Sequence, residues 1–274
     1  LLFILLLFTI GALWYIIGYW RRKAGEAAFA AARLTEKSEE RERYCRLAVM
    51  AGHRKACRMF CLLHPERFDG HSPHKPFKLR GIRISFYGYY YPSRYNALLN
   101  DEQKAFCHSI YQFKQGDIHG IEFFKTCMNA LQLKKRPYHI MFMPCSNWIK
   151  YGQRFKRLDW YIGKHRQDLT SGLYDVDICD ARESLHEAKG GEKRILERNY
   201  LITGKIKGKE IIIIDDVLTT GQSVVDYKEE IERCGGKVVA AIFYGKTLSM
   251  PSMLLVQIHV WGNHIAHIIE RMTK

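Results

Sequence analysis

The first 20 residues, LLFILLLFTIGALWYIIGYW, carry no charged side chain. As a helix rising about 1.5 Å per residue, such a run is long enough to cross a hydrocarbon core of roughly 30 Å. Trp14, Tyr15, Tyr19 and Trp20 gather towards one end, and Arg21, Arg22 and Lys23 follow immediately. That order predicts an uncleaved single-pass anchor whose basic end, and everything after it, faces the cytoplasm. No basic stretch precedes the apolar run and no small-x-small cleavage site follows it, which argues against a signal peptide. From residue 24 to 68 the pattern turns helical, with apolar positions set among alanines and charges. Gly52 divides YCRLAVMAGHRKACRMFCLL into two amphipathic helices.

The small residues Ala48, Ala51 and Ala56 let paired helices approach closely, and this hairpin resembles one unit of a tetratricopeptide-like repeat. A stable solenoid stacks three or more such units, so residues 24–68 are expected to pack as a hairpin on the main domain or on a partner. Residues 69–83, rich in Pro and Gly, read as a linker. Beyond them, β-branched and aromatic runs at IRISFYGYYYP, YHIMFMP, IIIID and KVVAAIFYGKT alternate with helical stretches. Strands separated by helices of that length predict an α/β domain over residues 84–274, with a mainly parallel sheet.

Charge narrows the partners. Lys and Arg number 43 against 28 Asp and Glu, a formal +15, with a pI near 9.4. Such a chain favours anions: phosphate esters, nucleotides, nucleic acid or an acidic membrane surface. The eight cysteines are scattered without a CxxC pair, which speaks against a disulfide framework. Cys57, Cys61 and His64 lack a fourth metal ligand, as do His259, His264 and His267.

The chemistry concentrates at residues 211–223, IIIIDDVLTTGQS. EIIIID reads as a central parallel strand buried on both faces, and VVDYKEEIERCGG as a helix ended by Gly235 and Gly236. DDVLTTGQS is then expected in the loop from a strand's carboxyl end to a helix N-terminus, where open α/β sheets bind ligands. Free N–H groups at that terminus favour a phosphate, Gly221 lets the backbone approach it, and Thr219, Thr220 and Ser223 add hydroxyls. Asp215 and Asp216 precede the turn, where they suit the hydroxyls of a sugar or a magnesium-bound ligand. Phosphate and diol side by side describe a phosphorylated ribose.

IIIIDDVLTTGQS resembles the phosphoribosyl pyrophosphate (PRPP) signature of type I phosphoribosyltransferases, and the chain is most similar to their ComF-like group. SIYQFKQGD with Lys114, IMFMPCSNWIKYGQRFKRLDW with Pro144, Cys145, Arg154 and Arg157, and ARESLHEAKGGEKRILERNYLI ending in Arg198 and Asn199 carry the similarity from about residue 84 onward. The group's Arg-Gly-Phe-Asn-Gln stands here as RFKRL, its cysteine zinc module is absent, and Gln222 replaces a small residue. The resemblance implies PRPP phosphate binding by Thr219, Thr220, Gly221, Gln222 and Ser223. It implies pyrophosphate binding by Pro144, Cys145, Arg154 and Arg157, with magnesium held by the ligand and not by direct protein ligation. Asp215 and Asp216 would stabilise positive charge on the ribose while an acceptor displaces pyrophosphate. Lys189, Lys193 and Arg194 lie in a candidate lid.

Two other readings compete for these residues. A strand ending in Asp also fits a nucleotide hydrolase, but GxxxxGK[ST] is absent. A non-catalytic PRPP- or nucleotide-binding accessory, linked to DNA uptake as ComF-like proteins are, accommodates the anchor, the hairpin and the net charge. The basic residues of 150–166 serve nucleic acid or pyrophosphate equally well. Neither the acceptor nor the oligomeric state is legible.

Overall fold

The computed structural model describes residues 2–116, 120–178 and 199–273, without the side chains of residues 2–6 and 8. The chain runs through α1 (Leu2–Leu34), α2 (Ser38–Met50), α3 (Arg54–Leu63), α4 (Pro65–Asp69), β1 (Phe77–Leu79), β2 (Ile82–Tyr90), a 3-10 turn (Ser93–Leu98), α5 (Asp101–Lys114) and α6 (Gly120–Leu131). It continues through β3 (Tyr138–Phe142), α7 (Trp148–His165), β4 (Leu169–Ser171), β5 (Val176–Ile178), β6 (Tyr200–Ile202), β7 (Glu210–Leu218), α8 (Gln222–Arg233), β8 (Lys237–Thr247) and α9 (Met253–Met272). These elements form two units.

The first unit gathers residues Leu1–Gly70, Ser93–Asn100 and Ser249–Lys274. Its core joins Phe29 and Ala32 of α1 to Cys45, Ala48 and Val49 of α2, to Ala56, Cys57, Phe60 and Cys61 of α3, and to Val256 and Val260 of α9. The helix break at Gly52, with φ +86°, separates α2 from α3 where the sequence placed it. Cys45, Cys57 and Cys61 are buried free thiols. Burial pushes the Cys45 and Cys61 thiols up to about 12, so they pack as small apolar groups.

The membrane-spanning anchor expected over residues 1–20 finds no support in the structure: among the described residues no helix is long and apolar enough to cross a membrane. α1 is one helix that passes straight through the basic triplet to Leu34. The basic residues also have protein partners: Arg21 Nη2 donates to the Met50 carbonyl at 3.1 Å, and Lys23 pairs with Glu26 at 3.3 Å.

The second unit, His71–Pro92 and Asp101–Leu248, holds a six-stranded sheet in the order β1-β2-β8-β7-β3-β4. β1 pairs antiparallel with β2, and every other neighbour in that sheet is parallel. The mainly parallel α/β architecture is therefore as expected. The stretch read as a linker holds β1 and the start of β2, and the chain beyond Leu248 joins the first unit. β5 and β6 form a separate antiparallel pair, in a region whose polar composition gave no strand signal.

Two features position the site. Ile212 and Ile214 of β7 pack with Ile110 and Phe113 of α5, Phe123 of α6 and Phe155 of α7 on one face of the sheet. The period of two along a strand then puts Asp216 on that same face. The connections leaving β3 and β7, which are neighbours, run in opposite directions across the sheet, β3 to β4 and β7 to β8. A crevice opens at the carboxyl ends of strands where the winding reverses in this way.

Candidate active site

β7 does not stop at Ile214. It runs on to Leu218, with Asp215 opposite Phe243 and Val217 opposite Gly245 of β8. The expected long loop is corrected to a turn of residues 219–221, because ladder pairing with β8 carries the strand through both acids. Thr219 and Thr220 are exposed, and Gly221 follows at φ +77° as the N-cap of α8. Thr220 Oγ1 accepts from the Gln222 N–H at 3.4 Å, and Ser223 lies exposed in the first turn of the helix. A Cβ at Gly221 would sit 2.3 Å from Leu79 Cδ2, so a side chain there would have to displace the leucine as well as adopt φ +77°, which favours glycine.

The acids are enclosed by cations. Arg154 Nη1 lies 2.8 Å from Asp216 Oδ2 and 3.5 Å from Asp215 Oδ1, and Lys114 Nζ lies 3.2 Å from Asp216 Oδ2. Asp215 Oδ1 also accepts the Asp216 N–H at 2.8 Å. Both carboxylates and the guanidinium are largely buried, at 16%, 10% and 17% side-chain exposure. Burial, and then the charge of Asp216, pushes the Asp215 carboxyl up to about 7 against the pull of Arg154. Arg154 stays charged: the two carboxylates and Cys145 outweigh the burial that would discharge it.

Arg154, which the resemblance assigns to pyrophosphate, lies against the acidic pair in this structure. Arg157, one turn on, donates from Nη1 to the Gly116 carbonyl at 3.4 Å. Pro144 and Cys145 follow β3, with Met143 N–H bonded to the Ile214 carbonyl at 2.9 Å, so the β3 loop lies beside the acids of β7. Asn147 caps α7 by accepting from the Lys150 N–H at 2.9 Å. Burial pushes the Cys145 thiol up to about 12, so it stays protonated. Its carbonyl accepts from Asn199 Nδ2 at 3.2 Å. Lys189, Lys193 and Arg194, the expected lid residues, lie outside the described residues.

Lys114 was marked only by the resemblance, and Arg80 carried no sequence signal. Lys114 ends α5 and reaches Asp216 only because α5 packs on that face of β7. Arg80, at the turn between β1 and β2, reaches Gln222, its Nη1 donating to Oε1 at 2.6 Å. Tyr90, at the end of β2, bonds the Tyr111 hydroxyl at 3.1 Å, and burial, Tyr111 and, more weakly, Asp216 hold its phenol neutral.

Residues 167–247, which include β7, the turn and α8, match the family model described as phosphoribosyl transferase domain. That stretch of the chain is similar to a phosphoribosyl transferase domain. An orotate phosphoribosyltransferase from Sulfolobus acidocaldarius is 42% identical over 57 residues, 20% of this chain and 26% of that protein. The match thus spans about a quarter of that relative's length.

Among the described residues no group of three or more His, Cys, Asp or Glu is arranged to hold a metal. The donors that are present, Asp215 and Asp216, are hard carboxylates. Such groups suit magnesium, which keeps several waters and takes other ligands from phosphates.

Proposed function

We propose that this phosphoribosyltransferase-type domain is an enzyme of the ComF-like group that transfers phosphoribose from PRPP to a nitrogen nucleophile. The observation that carries the proposal is the buried acidic pair at the end of β7, set one short turn before the N-terminus of α8. In this reading the 5-phosphate sits against the N–H groups of residues 219–223 and the hydroxyls of Thr219, Thr220 and Ser223. Asp215 and Asp216 accept from the ribose diol, and Arg154 and Lys114 keep that pair of like charges together. The β3 turn, Pro144 to Asn147, presents backbone to the pyrophosphate end.

Transfer forms a bond from the acceptor nitrogen to C1 of the ribose and breaks the bond from C1 to the pyrophosphate oxygen, which leaves with the electron pair. Positive charge grows on the sugar ring as that bond lengthens, and the ionised Asp215 carboxylate stabilises it through a medium of low dielectric. Magnesium bound with the phosphates would supply charge neutralisation for the leaving group. The released acceptor proton passes to water or to an acceptor-side base.

The test is pyrophosphate release from magnesium-PRPP by the full chain, across a panel of bases and amines that includes orotate. Release that depends on one acceptor, and that falls at least about 100-fold in Asp215→Asn, is expected for lost charge stabilisation of about 2.7 kcal/mol. Retained PRPP binding with no release from any acceptor would replace this reading with that of a binding accessory.

A further inference from the structure

We propose that Arg80 is a phosphate-binding residue of the 219–221 turn, and that Gln222 is the residue that positions it. The inference rests on the phosphoribosyl reading of that turn, and it deepens it by adding an arm from the opposite end of the domain's sequence. The tip of the β1–β2 hairpin lies against the turn, since Leu79 occupies the space a Cβ at Gly221 would need. Arg80 stands next to Leu79 in the left-handed region, at φ +45°, followed by Gly81 at φ +84°. A non-glycine residue held there is uncommon and strained, and such strain gathers where a side chain must be aimed.

Arg80 is aimed by a chain of two bonds. Gln222 Nε2 donates to Asp226 Oδ1 at 2.6 Å, which turns the amide oxygen outward to accept Arg80 Nη1 at 2.6 Å. Gln222 is the first residue of α8, so this bond holds a guanidinium beside the free N–H groups where a phosphate would sit. A guanidinium has five donors, and the Gln222 bond uses one. The partner is also a neutral amide. A carboxylate in its place would cancel the charge, whereas an amide fixes the fork and leaves its charge for an anion. This accounts for Gln222 standing where the resembling group has a small residue: its side chain is taken up by Arg80 and Asp226.

The experiment is calorimetric titration of the full chain with ribose 5-phosphate and, separately, with magnesium pyrophosphate. Arg80→Ala should weaken ribose 5-phosphate binding about tenfold, as loss of one charge-assisted hydrogen bond implies. It should leave pyrophosphate affinity and the melting temperature unchanged. Arg80→Lys, which keeps the charge without the fork, and Gln222→Ala, which keeps the fork without its anchor, should each lose about threefold. Wild-type affinity for ribose 5-phosphate in Arg80→Ala would overturn the assignment while leaving the phosphoribosyl reading intact. Parallel loss of both ligands with a lowered melting temperature would reduce Arg80 to a structural role. Failure of the wild-type chain to bind ribose 5-phosphate would remove both.

Discussion

Arg154 is the residue on which the charge balance of the site depends. It lies beside two carboxylates in a largely buried setting, where removing one partner strands the others. Arg154→Met should destabilise the second unit by about 3–5 kcal/mol at pH 8. The deficit should shrink towards pH 5. Asp215 has a folded pKa above its unfolded value, so the native state holds the extra proton and the cost of ionising it appears as pH rises through about 7. Denaturant melts at the two pH values check the sign, and an equal deficit at both would contradict it. The same titration predicts that PRPP affinity of the wild type rises between about pH 6 and 8 as Asp215 ionises, and that the rise is absent in Asp215→Asn. The acids and Arg154 were legible as residue types in a recognisable order. Their partnership was not, because packing of α7 against the sheet sets it and no spacing along the chain records it.

The turn after β7 is shaped by two elements, one near in sequence and one remote. The apolar run predicts a strand that ends at the first Asp, because a carboxylate ordinarily leaves a buried ladder. Pairing with β8 through Lys246 extends it, a case of neighbours overriding local preference. The first strand of the β1–β2 hairpin has no such signal: Pro73, Pro76 and Gly81 read as linker, yet the prolines precede β1 and the glycine forms its turn. Gly221→Ala should displace this turn, since the new Cβ meets Leu79 and φ +77° disfavours a side chain. A loss of ribose 5-phosphate affinity of at least about tenfold is expected, with a fall in stability of about 1–2 kcal/mol. Titration and melting of the same variant measure both, and unchanged binding would show that the turn does not hold the phosphate.

The two units are drawn from interleaved stretches of chain, which no local pattern reveals. The helical hairpin was visible in the spacing of Ala48, Ala51, Ala56 and Gly52, but the seat of α9 beside it was not, because Val256 and Val260 sit in a helix apolar on several sides. Those two valines complete the core of the first unit. Their joint replacement by alanine should cost that unit about 2–4 kcal/mol, seen as earlier loss of helical circular dichroism on heating. Ligand binding by the second unit should be unaffected, and a stability equal to wild type would contradict this packing. The account of the whole chain turns on whether the second unit holds a phosphorylated, pyrophosphorylated ribose at the end of β7. Calorimetric titration of the full chain with magnesium-PRPP tests that directly. Saturable binding by the wild type, weakened about 100-fold or more in Asp215→Asn with Asp216→Asn as charged hydrogen bonds to the sugar are lost, is the predicted result. Equal affinity in the two proteins, or no binding by either, would contradict it.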